Sequence, residues 1–299
     1  MIDTDGKMAN FALMRIASFH KDRGDEVEWA DTFTHYDRIY KSKIFSFTPE
    51  DLTIYDADEI VRGGTGYDVK SRLPEEIEKH CGLDYSFYPN CNYSIQFFSR
   101  GCIRACPFCI VREKEGHLKP VSPMNYNPKG EWVEVLDNNF FANPNWREAV
   151  AELQRNGQPV NLHGVDVRLM DEEQAAALGT FKLKQNIKIA WDLPEIDIEP
   201  KLREVVKYIK PHHLTCYVLV GFNSTMKQDL HRLEVLRGLG ITPFVMVYRD
   251  PKNKQQPSGY CKDLARWVNK PQLFKSVRFE DYESRKGFRC SAYFQGGQY

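Results

Sequence analysis

The sequence lacks a long apolar run. In its 299 residues there is no stretch of about 18 consecutive apolar side chains, the length that a membrane-spanning helix requires. Net charge is also lacking, because 41 basic residues balance 41 acidic ones. No overall field therefore favours nucleic acid or an anionic membrane surface. The N-terminal residues show no basic segment followed by an apolar run and a small-residue cleavage site, so we expect a cytoplasmic protein without membrane contact.

The cysteines are unevenly spread along the chain. A chain of this kind with eight cysteines is expected to hold reduced thiols or metal ligands rather than a disulfide framework. Three of the eight, Cys102, Cys106 and Cys109, fall within eight residues. The other five are scattered along the chain: Cys81, Cys91, Cys216, Cys261 and Cys290.

Apolar strand patterns alternate with helical patterns from residue 93 onward. This alternation predicts a parallel sheet or barrel, in which ligands bind at the carboxyl ends of the strands. The predicted strands are 93–98, 132–136, 159–163, 187–191, 214–220 and 241–248, and the predicted helices are 145–156, 171–178, 200–209 and 225–239.

The first 90 residues predict a smaller α/β unit. Its predicted elements are a helix over 11–20, strands over 27–29 and 39–47, and a sharp turn over 63–66. We therefore expect an N-terminal domain over 1–90, a main domain over 91–250 and a C-terminal extension over 251–299.

The three clustered cysteines have the spacing C-x3-C-x2-C and directly follow the first strand of the alternating region. Thiolates are soft ligands that suit iron–sulfur clusters or zinc. Structural zinc takes four ligands, and the nearby candidates for a fourth, Cys91 and His117, are poorly spaced. A four-iron cubane held by three thiolates leaves one iron for a ligand that is not protein, whereas electron-transfer clusters use four cysteines.

This loop, with the aromatic Phe108 before its last cysteine, resembles that of the radical S-adenosylmethionine (SAM) superfamily. The resemblance covers about residues 93–250. It implies a partial (β/α)6 barrel and a [4Fe–4S] cluster on Cys102, Cys106 and Cys109. The open iron would bind SAM, whose reductive cleavage yields a 5′-deoxyadenosyl radical. An oxygen-sensitive enzyme of this type takes its electron from a donor such as flavodoxin or ferredoxin.

Superfamily positions can be matched to this chain one at a time. The common glycine-glycine-glutamate at the end of the second strand is absent, and Asp137, Asn138 and Asn139 stand there instead, where turn formation is the alternative role. Arg168 could pair with the SAM carboxylate or form a surface ion pair. The resemblance implies SAM-binding roles for Phe108, Asp137, Asn138, Asn139, His163, Asp166, Arg168, Gly221 and Phe222, and catalytic roles at the substrate cavity for Asp192 and Tyr248.

The N-terminal unit resembles a shortened Rossmann-like domain of the cobalamin-binding or methylthiotransferase type. Ser46 and the segment 63–65 match positions near a cofactor tail, but the motif that supplies a cobalt-ligating histidine is absent. We therefore favour a degenerate lid over a cobalamin site. A cobalamin-dependent radical SAM methyltransferase remains the alternative enzyme, and a metal- or cluster-bearing binding protein without catalysis is the second alternative.

The C-terminal segment is basic and rich in aromatic residues, with ten Lys and Arg against five Asp and Glu over 250–299. Basic side chains can bind phosphates and aromatic rings can stack on bases, so this composition predicts a nucleotide or nucleic-acid substrate. The alternative is that Leu264, Trp267, Val268 and Phe274 cover the open edge of the sheet.

Overall fold

The structure is a computed structural model that describes residues 1–6, 8–249 and 256–295. It divides into two compact units, one formed by Met1–Asn138 with Asn143–Pro159 and the other by Asn139–Ala142 with the chain from Val160 onward. Both contain parallel strands and helices, which confirms the predicted α/β class. The predicted boundary near residue 90 falls inside the first unit. No helix in the described part of the chain combines the length and apolarity that a membrane crossing requires.

The first unit begins with a parallel three-stranded sheet in the order β1-β2-β3. Its elements, in chain order, are β1 (Ile2–Asp3), α1 (Phe11–Asp22), β2 (Tyr36–Ser42), β3 (Ala57–Gly63), α2 (Glu75–Lys79), β4 (Tyr93–Gln96), β5 (Ser99–Arg100), α3 (Val111–Glu115), β6 (Lys119–Pro120), β7 (Trp132–Val135) and α4 (Trp146–Asn156).

Helix α1 forms where the sequence predicts one, because it has both a cap and an apolar face. The Asn10 side chain accepts hydrogen bonds from the backbone N–H groups of Ala12 and Leu13, which have no partner inside the helix. Leu13 and Met14 are fully buried on the inner face. The predicted strand over 27–29 is wrong, since these residues have no regular structure. The ring of Trp29 packs edge-on against the ring of Phe87, with the two centroids 5.3 Å apart.

Strand β4 pairs in parallel with β7, and the short β5 pairs antiparallel with β6. Gln96, buried at the end of β4, donates to the carbonyl of Met124 and accepts from its N–H, at 2.8 and 2.9 Å. These bonds fix the chain just before the cysteine loop. Helix α4 ends at Gly157 in the left-handed conformation, as its sequence predicts.

The second unit contains a parallel sheet in the order β11-β10-β9. Asp171 and Thr225 each begin a helix with a reciprocal capping box, to Gln174 and Gln228 respectively. Its elements are β8 (Val160–Leu162), α5 (Glu172–Gly179), β9 (Ile187–Ala190), α6 (Glu199–Val205), β10 (Leu214–Val220), α7 (Met226–Leu239), β11 (Thr242–Val247), α8 (Gly259–Val268), α9 (Pro271–Ser276), β12 (Glu283–Arg285) and β13 (Phe288–Arg289).

The C-terminal helices complete the core of the second unit. Trp267 is fully buried, and Phe274 and Phe279 are nearly so, so these rings are packed inside rather than presented for base stacking. The side chain of Asn269 accepts from the N–H of Val245 and donates to its carbonyl, at 2.8 and 3.0 Å. It thereby occupies the free edge of β11. Lys252 and Lys254 of the basic segment lie outside the described residues.

Candidate metal centre and strand-end residues

The cysteine loop begins directly after β5 and folds back on itself. The N–H of Cys109 donates to the carbonyl of Cys106 at 3.0 Å, and the N–H of Arg104 donates to Sγ of Cys102 at 3.4 Å. Cys102 and Cys106 are partly exposed and Cys109 is exposed. The loop therefore presents three accessible thiols, one of which already accepts a backbone N–H.

Gly101 fixes the direction in which the loop leaves the strand. Its φ of +79° lies in the left-handed region, and a Cβ there would lie 2.3 Å from the carbonyl oxygen of His117. The N–H of the next residue, Cys102, donates to the carbonyl of Gly116 at 3.3 Å. A side chain at position 101 would force these two segments apart.

Glu115, the last residue of α3, ties the loop to the end of β7. Its carboxylate accepts from Arg100 at 2.7 Å, from the N–H of Gly101 at 2.8 Å and from Nδ2 of Asn138 at 2.9 Å. Asn138 is one of the predicted SAM-binding residues, so the structure brings it to the base of the cysteine loop. Sequence reasoning missed Glu115, because nothing in its spacing separates it from the other charged residues of α3.

Asp137 is buried below the loop, with 1% of its surface exposed. Its carboxylate accepts from the N–H of Phe98 at 2.8 Å and from the hydroxyl of Ser99 at 2.5 Å. Burial raises the pKa of this carboxyl to about 6, and the two hydrogen bonds oppose that rise. Both oxygens thus serve to join the ends of β4 and β7.

The substitution Asp137→Asn is expected to flatten the pH dependence of stability. Because the folded pKa of about 6 lies above the unfolded value of about 3.9, protonation favours the folded state, and this contribution is lost as the pH rises through 6. Between pH 4 and 7.5 the free energy of unfolding should fall by about 1–3 kcal/mol more in the wild type than in the variant. Urea unfolding across this range measures the difference. Parallel pH profiles would contradict the raised pKa.

The structure places three further candidates of the second unit after β8. Arg168 donates to Asp166 through Nε at 2.6 Å and through a terminal nitrogen at 2.9 Å. The guanidinium fork considered for the SAM carboxylate is therefore engaged within its own loop. His163 is exposed and lies 3.2 Å from the side chain of Asn161.

Asn139 follows β7 and comes directly after Asn138. It is 2% exposed, and its Oδ1 has no hydrogen-bond partner within the described residues.

The remaining candidates lie at the ends of β9, β10 and β11. Burial raises the pKa of Asp192, and the charges of Arg232 and Arg168 oppose the rise. A parallel backbone bridge between Val165 and Ile189 brings the segment of Asp166 and Arg168 beside β9. Gly221 has a φ of +79°, and a Cβ there would lie 3.1 Å from Sγ of Cys261.

The rings of Phe222 and Tyr248 pack edge-on with centroids 4.9 Å apart. The N–H of Tyr248 donates to the carbonyl of Val220 at 2.9 Å, which holds the two strand ends together. The second unit thus brings its candidates into two groups, one after β8 and β9 and one after β10 and β11.

The cysteines outside the loop differ from those inside it. Cys91 is part of an apolar core, and its thiol donates to the carbonyl of Tyr93 at 3.4 Å. Its role is therefore structural. Burial raises the thiol pKa at four of these positions: Cys91, Cys216, Cys261 and Cys290. A buried thiol with a raised pKa stays protonated and is a poor metal ligand.

The donor set of the loop fits an iron–sulfur cluster: three soft ligands in one short segment, with a backbone N–H already on one sulfur. Within residues 1–6, 8–249 and 256–295, no three Cys, His, Asp or Glu side chains converge as they would on a single metal ion. A comparison of the chain with models of protein families and a search of curated proteins gave no match.

Proposed function

We propose that this protein is a radical SAM enzyme that reductively cleaves SAM at a [4Fe–4S] cluster. The observation that carries the proposal is the C-x3-C-x2-C loop directly after β5, with its three accessible thiols. The proposal includes the partial (β/α)6 barrel, with β4, β7, β8, β9, β10 and β11 as its six strands.

Cys102, Cys106 and Cys109 would hold the cluster, which supplies the electron that splits the sulfonium of SAM. Gly101 and Glu115 would hold the loop in place through the backbone direction and the three hydrogen bonds described above. The Glu115 carboxylate also pairs with the guanidinium of Arg100 at the base of the loop, at 2.7 Å.

Two amide side chains supply oxygens suited to the amino group of SAM. The buried Oδ1 of Asn139 is an acceptor without a partner in the described chain, and an ammonium group would satisfy it. Nδ2 of Asn138 donates to Glu115, which positions the amide of Asn138 at the same strand end. Gly221 is exposed and has no Cβ, so its backbone is open to a ligand on the side away from Sγ of Cys261.

The test is anaerobic reconstitution with iron and sulfide, followed by reduction with dithionite in the presence of SAM. We expect about four irons per chain, which is the content of one cubane. We also expect a reduced-cluster electron paramagnetic resonance signal that changes when SAM is added, and the formation of 5′-deoxyadenosine and methionine. A tetrahedral metal with four protein ligands would refute the proposal. So would a cluster whose paramagnetic resonance signal is unchanged by SAM in a protein that forms no 5′-deoxyadenosine.

A further inference from the structure

The first unit contains a cavity of about 940 Å³ that the proposed SAM chemistry does not use. It opens beside the carboxyl ends of β2 and β3, at Ser42 and Gly63, and beside the first turn of α1. Ligands of open parallel sheets bind at such strand ends. The volume lies within the range of small-molecule sites.

The wall of this cavity is largely apolar. Phe11 and Phe97 line it with their rings in edge-on contact, 5.0 Å apart. Ile16, Val61 and Met124 extend the apolar surface. A ligand of this cavity therefore has an apolar body.

Arg15 is the unusual polar group of the wall. It is 8% exposed, and its buried Nε has no hydrogen-bond partner in the described part of the chain. Its other contacts are weak: one terminal nitrogen lies 3.4 Å from the sulfur of Met124, and the guanidinium lies 4.8 Å from the ring centre of Phe11. None of the ion pairs among the described residues includes Arg15. A buried guanidinium without a carboxylate is costly unless an anion accompanies it.

Further cations face the same space. Burial and, after it, the charge of Arg100 lower the pKa of Arg15, and the smaller effects of Cys81 and Glu78 oppose that change. Burial likewise lowers the pKa of Lys114, with Arg100 and Arg72 adding to the effect and Glu115 opposing it. Arg100 therefore repels both Arg15 and Lys114.

The acidic residues of the wall are already paired. Glu75 lies 2.5 Å from Lys79, and Glu78 lies 3.8 Å from Lys119. Glu115 is bound to Arg100. After this pairing the wall retains an excess of positive charge on Arg15, Arg62, Arg72 and Lys114, of which Lys114 also donates to the hydroxyl of Thr65.

We propose that this cavity binds a small organic anion, with its carboxylate or phosphate group between Arg15 and Lys114 and its apolar body against Phe11 and Phe97. Arg15 supplies a planar fork that matches such oxygens, and the anion relieves the repulsion between the cations. The site is independent of the cysteine thiols. It therefore holds whether or not the cluster proposal does.

The test uses two fluorescent probes of similar apolar body, the anionic anilinonaphthalene sulfonate and the uncharged phenylnaphthylamine, titrated into the full-length protein. We expect the anionic probe to bind the wild type about tenfold or more tightly than the uncharged one, since hydrogen bonds to a buried charge have this magnitude. Arg15→Gln should weaken the anionic probe about tenfold and leave the uncharged probe within about twofold.

Arg38→Gln is the matched control, because Arg38 is a cation of the same unit that is exposed and paired with Glu59 on β3, outside the cavity. It should change neither affinity, and Cys106→Ala should bind the anionic probe as the wild type does. Displacement of that probe by butyrate or by butyl phosphate identifies which anion the site takes. Equal affinity of the wild type for the two probes overturns the proposal even if Arg15→Gln does not fold. So does displacement by neither anion, or an unchanged anionic affinity in folded Arg15→Gln.

Discussion

Cys106→Ala is expected to lose the iron–sulfur cluster and, with it, SAM cleavage down to the background rate. Three thiolates are the only protein ligands that the proposal gives the cluster, so removing the middle one leaves two anchors for four irons. Alanine is small and the position is partly exposed, so the fold should be retained. Iron and sulfide content, the charge-transfer absorbance of the cluster and 5′-deoxyadenosine formation together measure the loss.

Cys81→Ala is the matched control for this experiment. Cys81 is an exposed cysteine of the same unit that lies outside the loop, and its thiol donates weakly to the carbonyl of Lys79 at 3.6 Å. It should retain iron and activity at the wild-type level. Equal loss in both variants would indicate adventitious iron on exposed thiols, and no loss in Cys106→Ala would remove that cysteine from the cluster.

The elements that the sequence predicts best are those whose ends carry a local signal. Helix α7 lies between the capping box at Thr225 and the left-handed Gly240, and both ends match the prediction. Strand β10 spans Leu214–Val220 as predicted, because its apolar residues are needed in a buried strand of a parallel sheet. Such signals act within a few residues and need no knowledge of the partner element.

Strand β2 shows why other boundaries were misplaced. The sequence predicts it over 39–47, but it spans Tyr36–Ser42 and so begins in a charged segment. Arg38 lies opposite Glu59 in the register of β3, and the two side chains form an ion pair at 2.6 Å. This cross-strand pair extends the strand into polar sequence. The choice of partner strand decides the boundary, and one strand's sequence does not contain it.

The candidate site likewise has features that the sequence shows directly and features that depend on distant residues. The spacing of the three cysteines is visible in the sequence, whereas the left-handed turn at Gly101 is seen only in the structure. The roles of Glu115 and Arg15 depend on residues far away in the chain, such as Asn138 for Glu115 and Met124 for Arg15. Likewise, the engagement of Arg168 by Asp166 depends on side-chain direction, which two-residue spacing in an irregular segment does not determine.

Arg232→Met is expected to destabilise the second unit by about 3–5 kcal/mol, the range for breaking a buried ion pair from one side. Arg232 and Asp229 are each 1% exposed and lie 2.6 Å apart. Burial raises the pKa of Asp229, and Arg232 opposes that rise, so the variant leaves a buried carboxyl without its cation. The carbonyls of Trp191 and Leu219, bound by Arg232 at 2.6 and 3.0 Å, also lose their donor. Thermal and urea unfolding measure the effect.

Two further variants separate the causes of this loss. Arg203→Met removes an exposed ion pair with Glu199 one helical turn away, and it should change stability by less than about 1 kcal/mol. The double variant Asp229→Leu with Arg232→Met removes the uncompensated carboxyl but not the unpaired carbonyls, so it should recover only part of the stability. If the single Arg232→Met variant were as stable as Arg203→Met, the ion pair would not hold the ends of β9 and β10. Because Asp192 directly follows Trp191, the position of this candidate catalytic residue depends on the same arginine.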